Sequence, residues 1–291
     1  DVVKVIFYER KKSNGKLAKL CSFQIDPKDM SINCEDENDF EIVSLINNGD
    51  KSKKVDLLFV AEGYRADQMD KFLQDAKKFT DYLFNIEPYK SRKDDFNIWA
   101  IKSISKDSGP DIPHQGIWKQ TVLESNFYTF KIDRYLTAPE YSLIASAVSN
   151  APFDAIHVIV NTDKYGGGGI YNYYALSMSD HSTESMVFVH EFGHSFAGLG
   201  DEYYTSEVSY EDFYNLKVEP WEPNLTTKVH FDEKWKDMMG KDGVGLYEGG
   251  GYMTKGIFRP AQDCRMKTNT SPSFCPVCIR AINRMIDYYT K

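Results

Sequence analysis

The sequence predicts an α/β fold: a mainly parallel, twisted sheet flanked by helices, with a short β segment ahead of it. Three observations predict this. Continuous apolar runs of strand length alternate with stretches whose apolar residues recur at helical spacing, as in strands buried on both faces and joined by helices. The composition changes at Val55, just after the polar run NNGDKSKK that ends at Lys54. The 291 residues are 42% hydrophobic and 27% charged, which excludes wholesale disorder and suits one large domain or a main domain with an appendage.

The elements follow in order. Val2 to Tyr8 (VVKVIFY) is rich in β-branched and aromatic residues and reads as a strand; Lys12 to Gly15 is a turn signal, and Leu20 to Ile25 reads as a second strand. Residues 1–48 are thus expected to form an N-terminal β segment or the remnant of a β domain, with residues 49–291 as the main domain. Val55 to Tyr64 (VDLLFVAEGY) is the first buried strand. From Asp67 to Phe84 the residues Met69, Phe72, Leu73, Ala76, Phe79 and Leu83 mark one face of a helix. Phe96 to Ile101 and Ala155 to Asn161 are further strands, and Tyr141 to Ser149 a helix between them. The stretch Asp107 to Tyr135 reads as partly irregular. A glycine turn after Tyr165 leads into a strand from Tyr171 to Met178. Ser182 to Leu199 is a helix with Gly200 as its stop signal. Asp201 to Gly251 reads as loops, and Pro276 to Tyr289 as a closing amphipathic helix.

Composition excludes several function classes. With 35 Lys+Arg against 43 Asp+Glu the net charge is −8, against the basic surplus of a nucleic-acid binder. No stretch approaches the roughly 20 apolar residues of a transmembrane segment. The chain starts at Asp1 with no initiator Met and no signal peptide, as a processed or trimmed product would. Three of its five cysteines, Cys264, Cys275 and Cys278, cluster as C-x10-C-x2-C. This reads as a disulfide from Cys264 to Cys275 or Cys278, or as part of a metal knuckle. A structural zinc takes four ligands and no fourth Cys or His is close in sequence, so the disulfide is favoured. A second pair, Cys21 and Cys34, fits an oxidising compartment outside the cytoplasm.

The segment His190-Glu191-Phe192-Gly193-His194 is HExxH. Positions four apart on a helix lie about 40° apart around its axis, so both imidazoles leave one face and can grip one ion. Glu191 lies roughly 100° from His190, close enough to reach a water on the metal without ligating it. Zinc would bring that water's pKa near neutrality, and Glu191 would accept its proton as general base. Met186, Val187, Phe188, Val189, Phe192 and Phe196 imply a buried helix, where unpaired histidines and a glutamate would be costly without a metal. Gly198-Leu199-Gly200 breaks the helix, and Asp201 then offers a third ligand, with Glu202 next in line. Metzincins carry HExxHxxGxxH or HExxHxxGxxD; HEFGHSFAGLGD is one residue longer than that pattern. For the methionine that metzincins place beneath the metal, Met266 is preferred to Met253, and Met238 and Met239 are weaker.

Together, Val55 to Tyr64, Tyr165-GGGG, HEFGHSFAGLGDEYY and CRMKT…FCPVC resemble the IgA peptidase family, zinc metallopeptidases first known from a clostridial immunoglobulin A protease. The resemblance covers roughly Val55 to Tyr289. It implies a metzincin-like zinc peptidase domain, Zn2+ at His190, His194 and Asp201, Glu191 as catalytic base, and a secreted or bacterial cell-surface location. It implies a protein or peptide substrate, an immunoglobulin among the possibilities. Substrate could add as a strand beside Tyr171 to Met178, with the glycines admitting its backbone closely. Tyr203, Tyr204, Tyr252 and His181 are candidates to assist at the oxyanion. His157 reads as a core residue, and His114 and His230 as solvated. The sequon at Asn224 carries no weight, and no EF-hand pattern occurs. The rival readings are a zinc amidase acting on peptidoglycan or small peptides, and a non-catalytic surface binding module.

Overall fold

A computed structural model describes residues 2–11, 17–31, 38–204 and 212–291. The N-terminal strands β1 (Val3–Arg10) and β2 (Leu17–Ile25) pair antiparallel as a separate two-stranded ribbon. Phe7 and Phe23 meet edge to face across it, 5.9 Å between ring centroids. The turn expected at Lys12 to Gly15, and Cys34 of the expected Cys21–Cys34 pair, lie outside the described residues.

The main body is a six-stranded mixed sheet. Its strands are β3 (Ile42–Ile46), β4 (Val55–Glu62), β5 (Phe96–Ile101), β6 (Ala155–Val160), β7 (Gly167–Ile170) and β8 (Tyr174–Met178), in the order β3-β5-β4-β6-β8-β7. The four inner strands are mutually parallel; β3 and β7 run antiparallel at the two edges. Two differences from the sequence reading stand out. Ile42–Ile46 falls within the residues assigned to the N-terminal segment, yet it pairs with β5. The glycine run is not a turn: Gly167–Ile170 is itself the edge strand, and the strand before the HExxH helix, β8, is internal.

Helices α1 (Met69–Phe84), α2 (Tyr141–Val148), α3 (Glu184–Ala197) and α4 (Pro276–Thr290) cover the sheet. Alternation along β4 shows why the inner strands read as unbroken apolar runs. Val55, Leu57, Phe59 and Ala61 join one core with α1, α3 and α4, whereas Leu58 and Val60 join the other with α2. Side chains alternate between faces, and here both faces are dry. The apolar stripe of α1 (Met69, Phe72, Ala76, Phe79, Leu83) is buried in the first core, as its spacing requires. A hairpin of β9 (Tyr247–Gly250) and β10 (Met253–Arg259) lies apart from the sheet.

Helix α3 carries HExxH and ends sooner than expected. Gly198, not Gly200, is its stop: it takes φ +63°, and its N–H reaches the carbonyls of Gly193 and His194. That left-handed conformation favours glycine, and a Cβ there would also meet Trp221 at 2.8 Å. The chain therefore turns back early enough for Asp201 to return toward the helix.

Candidate active site

The glycine run exists to let β7 lie against α3. A Cβ on Gly169 would stand 2.4 Å from the Glu191 carbonyl oxygen and 2.9 Å from His194 Cβ. On Gly167 it would stand 2.7 Å from Val187 Cγ1. The close approach expected for a substrate backbone is thus made by the protein's own edge strand. The outer edge of β7 is touched in part by Tyr135, which bridges to Gly167.

His190 and His194 project from one face of α3, with Nε2 atoms 3.1 Å apart. Asp201 Oδ1 lies 3.0 Å from His190 Nε2 and 3.2 Å from His194 Nε2. Glu191 also brings a carboxylate oxygen within 4.8 Å of both imidazoles. The other ring nitrogens are committed: His190 Nδ1 to the Arg265 carbonyl at 3.0 Å, His194 Nδ1 to the Leu199 carbonyl. A carbonyl only accepts, so each Nδ1 is the donor, and a ring that carries no second proton turns its Nε2 lone pair inward. Two imidazole Nε2 atoms and a carboxylate oxygen about 3 Å apart need a positive charge among them, either a proton shared with Asp201 or a metal ion. The donor set therefore fits a metal, and two imidazoles with one carboxylate suit zinc.

Charge follows the same geometry. Burial opposes protonation of His194, but the Asp201 carboxylate overrides it and raises the imidazole to about 9. Burial works against ionising Asp201 too, yet the two imidazoles hold its carboxyl far below the ordinary range. Burial pushes Glu191 above the usual carboxyl value; the imidazoles pull it down and Asp201 adds to the rise.

The surroundings hold each group in place. Tyr252 takes φ +67°, rare for a bulky residue, and donates its hydroxyl to Asp201 Oδ2. Gly251 N–H donates to the Asp201 carbonyl at 2.7 Å. Met266 is fully buried beneath the helix: a Cβ on Gly193 would stand 3.0 Å from its sulfur. Met253 instead lies in a small cluster with Leu225 and Ile257. A cleft of about 240 Å³ opens onto the site, lined by Arg134, Tyr165, His190, Glu191, Tyr203 and Lys267.

The structure brings His190, Glu191, His194, Asp201 and Tyr252 together, and sets Tyr203 in the cleft wall. Glu202 turns the other way, with its carboxylate 3.3 Å from Cys278 Sγ. Tyr204 packs at Gly249 beneath the Arg259 guanidinium, and His181 bonds Thr183 at the start of α3. His157 is a core residue. His114 is not simply solvated, since it pairs with Asp133 at 2.8 Å and stacks on Tyr128. The disulfide expected at Cys264 is not formed: all three clustered cysteines are free, and the sulfurs of Cys264 and Cys278 are 3.8 Å apart.

Sequence reasoning missed two residues. Arg134 sits in an irregular stretch whose periodicity says nothing about which side chain faces the cleft. Asn224 was passed over as a glycosylation sequon. It is fully buried, and its amide clamps the N–H and carbonyl of Gly200 and the Glu202 carboxylate.

Among the described residues no helix is long and apolar enough to cross a membrane. The sequence profile described as IgA Peptidase M64 matches residues 43–244 and 240–286. No curated protein matches the chain.

Proposed function

From the premise that the chain belongs to the IgA peptidase M64 family, a metallopeptidase family, we propose that it is a zinc-dependent endopeptidase acting on extracellular proteins. Family membership carries peptidase activity and a protein substrate. One observation supports it above the others: His190 Nε2, His194 Nε2 and Asp201 Oδ1 converge within 3.0 to 3.2 Å while both Nδ1 protons go to backbone carbonyls. In this reading Zn2+ is held by His190, His194 and Asp201. When bound, it would polarise the scissile carbonyl and acidify a water.

The chain's own groups do the rest. Glu191, one residue beyond the first ligand on α3, accepts the proton of the attacking water and passes it to the leaving amine. Its pocket favours this, because a carboxylate destabilised by burial is a stronger base than one in water. Tyr252 fixes the orientation of Asp201, and the Arg265 and Leu199 carbonyls fix those of the imidazoles. Arg134 and Lys267 place positive charge in the cleft, where it can neutralise an oxyanion or hold a peptide carbonyl. Met266 beneath the helix is consistent with the Met-turn of metzincin-like peptidases.

The test pairs metal content with hydrolysis. Glu191→Gln should bind zinc as the wild type does and lose cleavage of a mixed protein substrate by at least about 100-fold. Chelation should abolish wild-type cleavage and added zinc restore it. Full peptidase activity in the Gln variant would sink the mechanism. Cleavage of cell-wall peptides but not proteins would favour an amidase instead.

A further inference from the structure

Beside the candidate active site lies a second cluster that the peptidase chemistry does not use. Cys264, Cys275, Cys278 and Glu202 each offer one ligand atom, all within 4.8 Å of one another, and all four residues are buried. The three cysteines are close in sequence; the fourth group arrives from the stretch just after α3, next to Asp201. Cys264 and Cys278 sulfurs stand 3.8 Å apart. A tetrahedral zinc with Zn–S bonds of about 2.3 Å sets its sulfurs about 3.8 Å apart, whereas a disulfide needs about 2.05 Å. Glu202 Oε1 is 3.3 Å from Cys278 Sγ, near the roughly 3.5 Å edge of a tetrahedron with one oxygen at about 2.0 Å.

Two further observations point to an ion. Glu202 is fully buried and its Oε2 has no hydrogen-bond partner, which is costly for a carboxylate unless a cation takes it up. The remaining donors already address the ligands. Cys275 N–H points to Cys264 Sγ at 3.2 Å, and Asn224 Nδ2 donates to Glu202 Oε1 at 2.9 Å. Cys275 caps the N-terminus of α4 and Cys278 sits in its first turn, with Pro276 between them. The Arg259 and Arg265 guanidinium groups act on Glu202 and Cys264, so a divalent ion and two cations offset three thiolates and a carboxylate.

We propose that Cys264, Cys275, Cys278 and Glu202 form a second, structural Zn2+ site that holds the catalytic groups in register. The ion ties three segments together. Glu202 is next to Asp201, and its N–H donates to the Met266 carbonyl at 2.8 Å. The turn after Cys264, closed by the Lys267 and Thr268 N–H groups on the Cys264 carbonyl, carries the Arg265 carbonyl that orients His190. Cys275 and Cys278 anchor both to α4. Glu202, Asp201 and His190 are therefore placed by one bonded network. The ion's place rests on the cluster's geometry alone, and its part in holding the catalytic groups rests on the peptidase reading.

The experiment measures metals in chain purified under reducing, zinc-replete conditions and dialysed. About two zinc ions per wild-type chain are expected, with about one retained by His190→Ala/His194→Ala and about one by Cys278→Ser. If Cys278→Ser fails to fold, cobalt decides: the histidine double variant, or the wild type, loaded with cobalt should show thiolate-to-cobalt charge-transfer absorption in the near ultraviolet. One zinc in both the wild type and the histidine variant would uphold this site and sink the catalytic one. A histidine variant without zinc, a cobalt protein without the thiolate band, iron in place of zinc, or an unreduced chain linking Cys264 to Cys275 or Cys278 would each overturn the proposal.

Discussion

His157 offers a stability measurement whose sign and size follow from its surroundings. It lies fully buried in β6, edge-on to Phe188 with ring centroids 4.6 Å apart and within about 6 Å of Phe59 and Phe79. One ring nitrogen meets Ser177 Oγ at 3.0 Å; Nδ1 has no partner. A charged imidazolium would put a second N–H into an aromatic pocket that cannot accept it, and burial lowers the pKa to about 3. In the unfolded chain the ordinary value of about 6.5 applies. Below pH 6.5 the unfolded state therefore binds a proton that the folded state refuses. Stability from this group is complete above 6.5 and falls with pH down to about 3. The slope is about 1.36 kcal/mol per pH unit, so going from pH 7 to 4.5 removes about 2.5 kcal/mol. His157→Gln keeps an amide for Ser177 and cannot titrate in this range. Urea unfolding of both chains, stripped of metal, at pH 7 and 4.5 isolates the effect, because the other groups cancel in the difference. The variant is expected to be the weaker at pH 7 and to recover about 2.5 kcal/mol relative to wild type at pH 4.5. A gap that stays constant within about 0.5 kcal/mol would refute the reasoning, since it would mean His157 protonates as it does in water.

Other outcomes follow from the site. Tyr252→Phe removes the hydroxyl that holds Asp201 and should weaken zinc binding about 10- to 100-fold in a competitive chelator titration, with the fold intact by circular dichroism. Gly169→Ala forces β7 off α3, because its Cβ would meet the Glu191 carbonyl at 2.4 Å; thermal unfolding should show a loss of about 1–3 kcal/mol together with lower activity. Removing metal with a chelator should lower Tm, since the native chain alone assembles the ligand set. With free zinc at about 100 times its Kd, restored metal should return about 2.7 kcal/mol for each site refilled. An unchanged Tm would mean that no metal is bound to the native state.

Much of this was legible in the residue order because it depends on local periodicity. Apolar runs at Val55, Phe96 and Ala155 mark strands buried on both faces, and the spacing from Met69 to Leu83 marks a helix face. HExxH sets two imidazoles on one face by the helical turn alone. Edge strands were harder to see. Ile42–Ile46 is short and half-buried, and Gly167–Ile170 carries no apolar alternation, so neither advertises its pairing partner.

The sequence by itself therefore determined the HExxH motif and the existence of the inner strands, since each is written in the local periodicity of the chain, whereas the order in which those strands pair is not. Only the tertiary structure separates Asp201 from Glu202 in space. The two residues are adjacent, but the chain sends one carboxylate to the imidazoles and the other to the cysteines. The same holds for Cys264, Cys275 and Cys278, whose fourth partner lies more than sixty residues upstream. Which distant groups meet is set by how the packed cores bring the loop after α3 onto the start of α4, and no local pattern encodes that meeting.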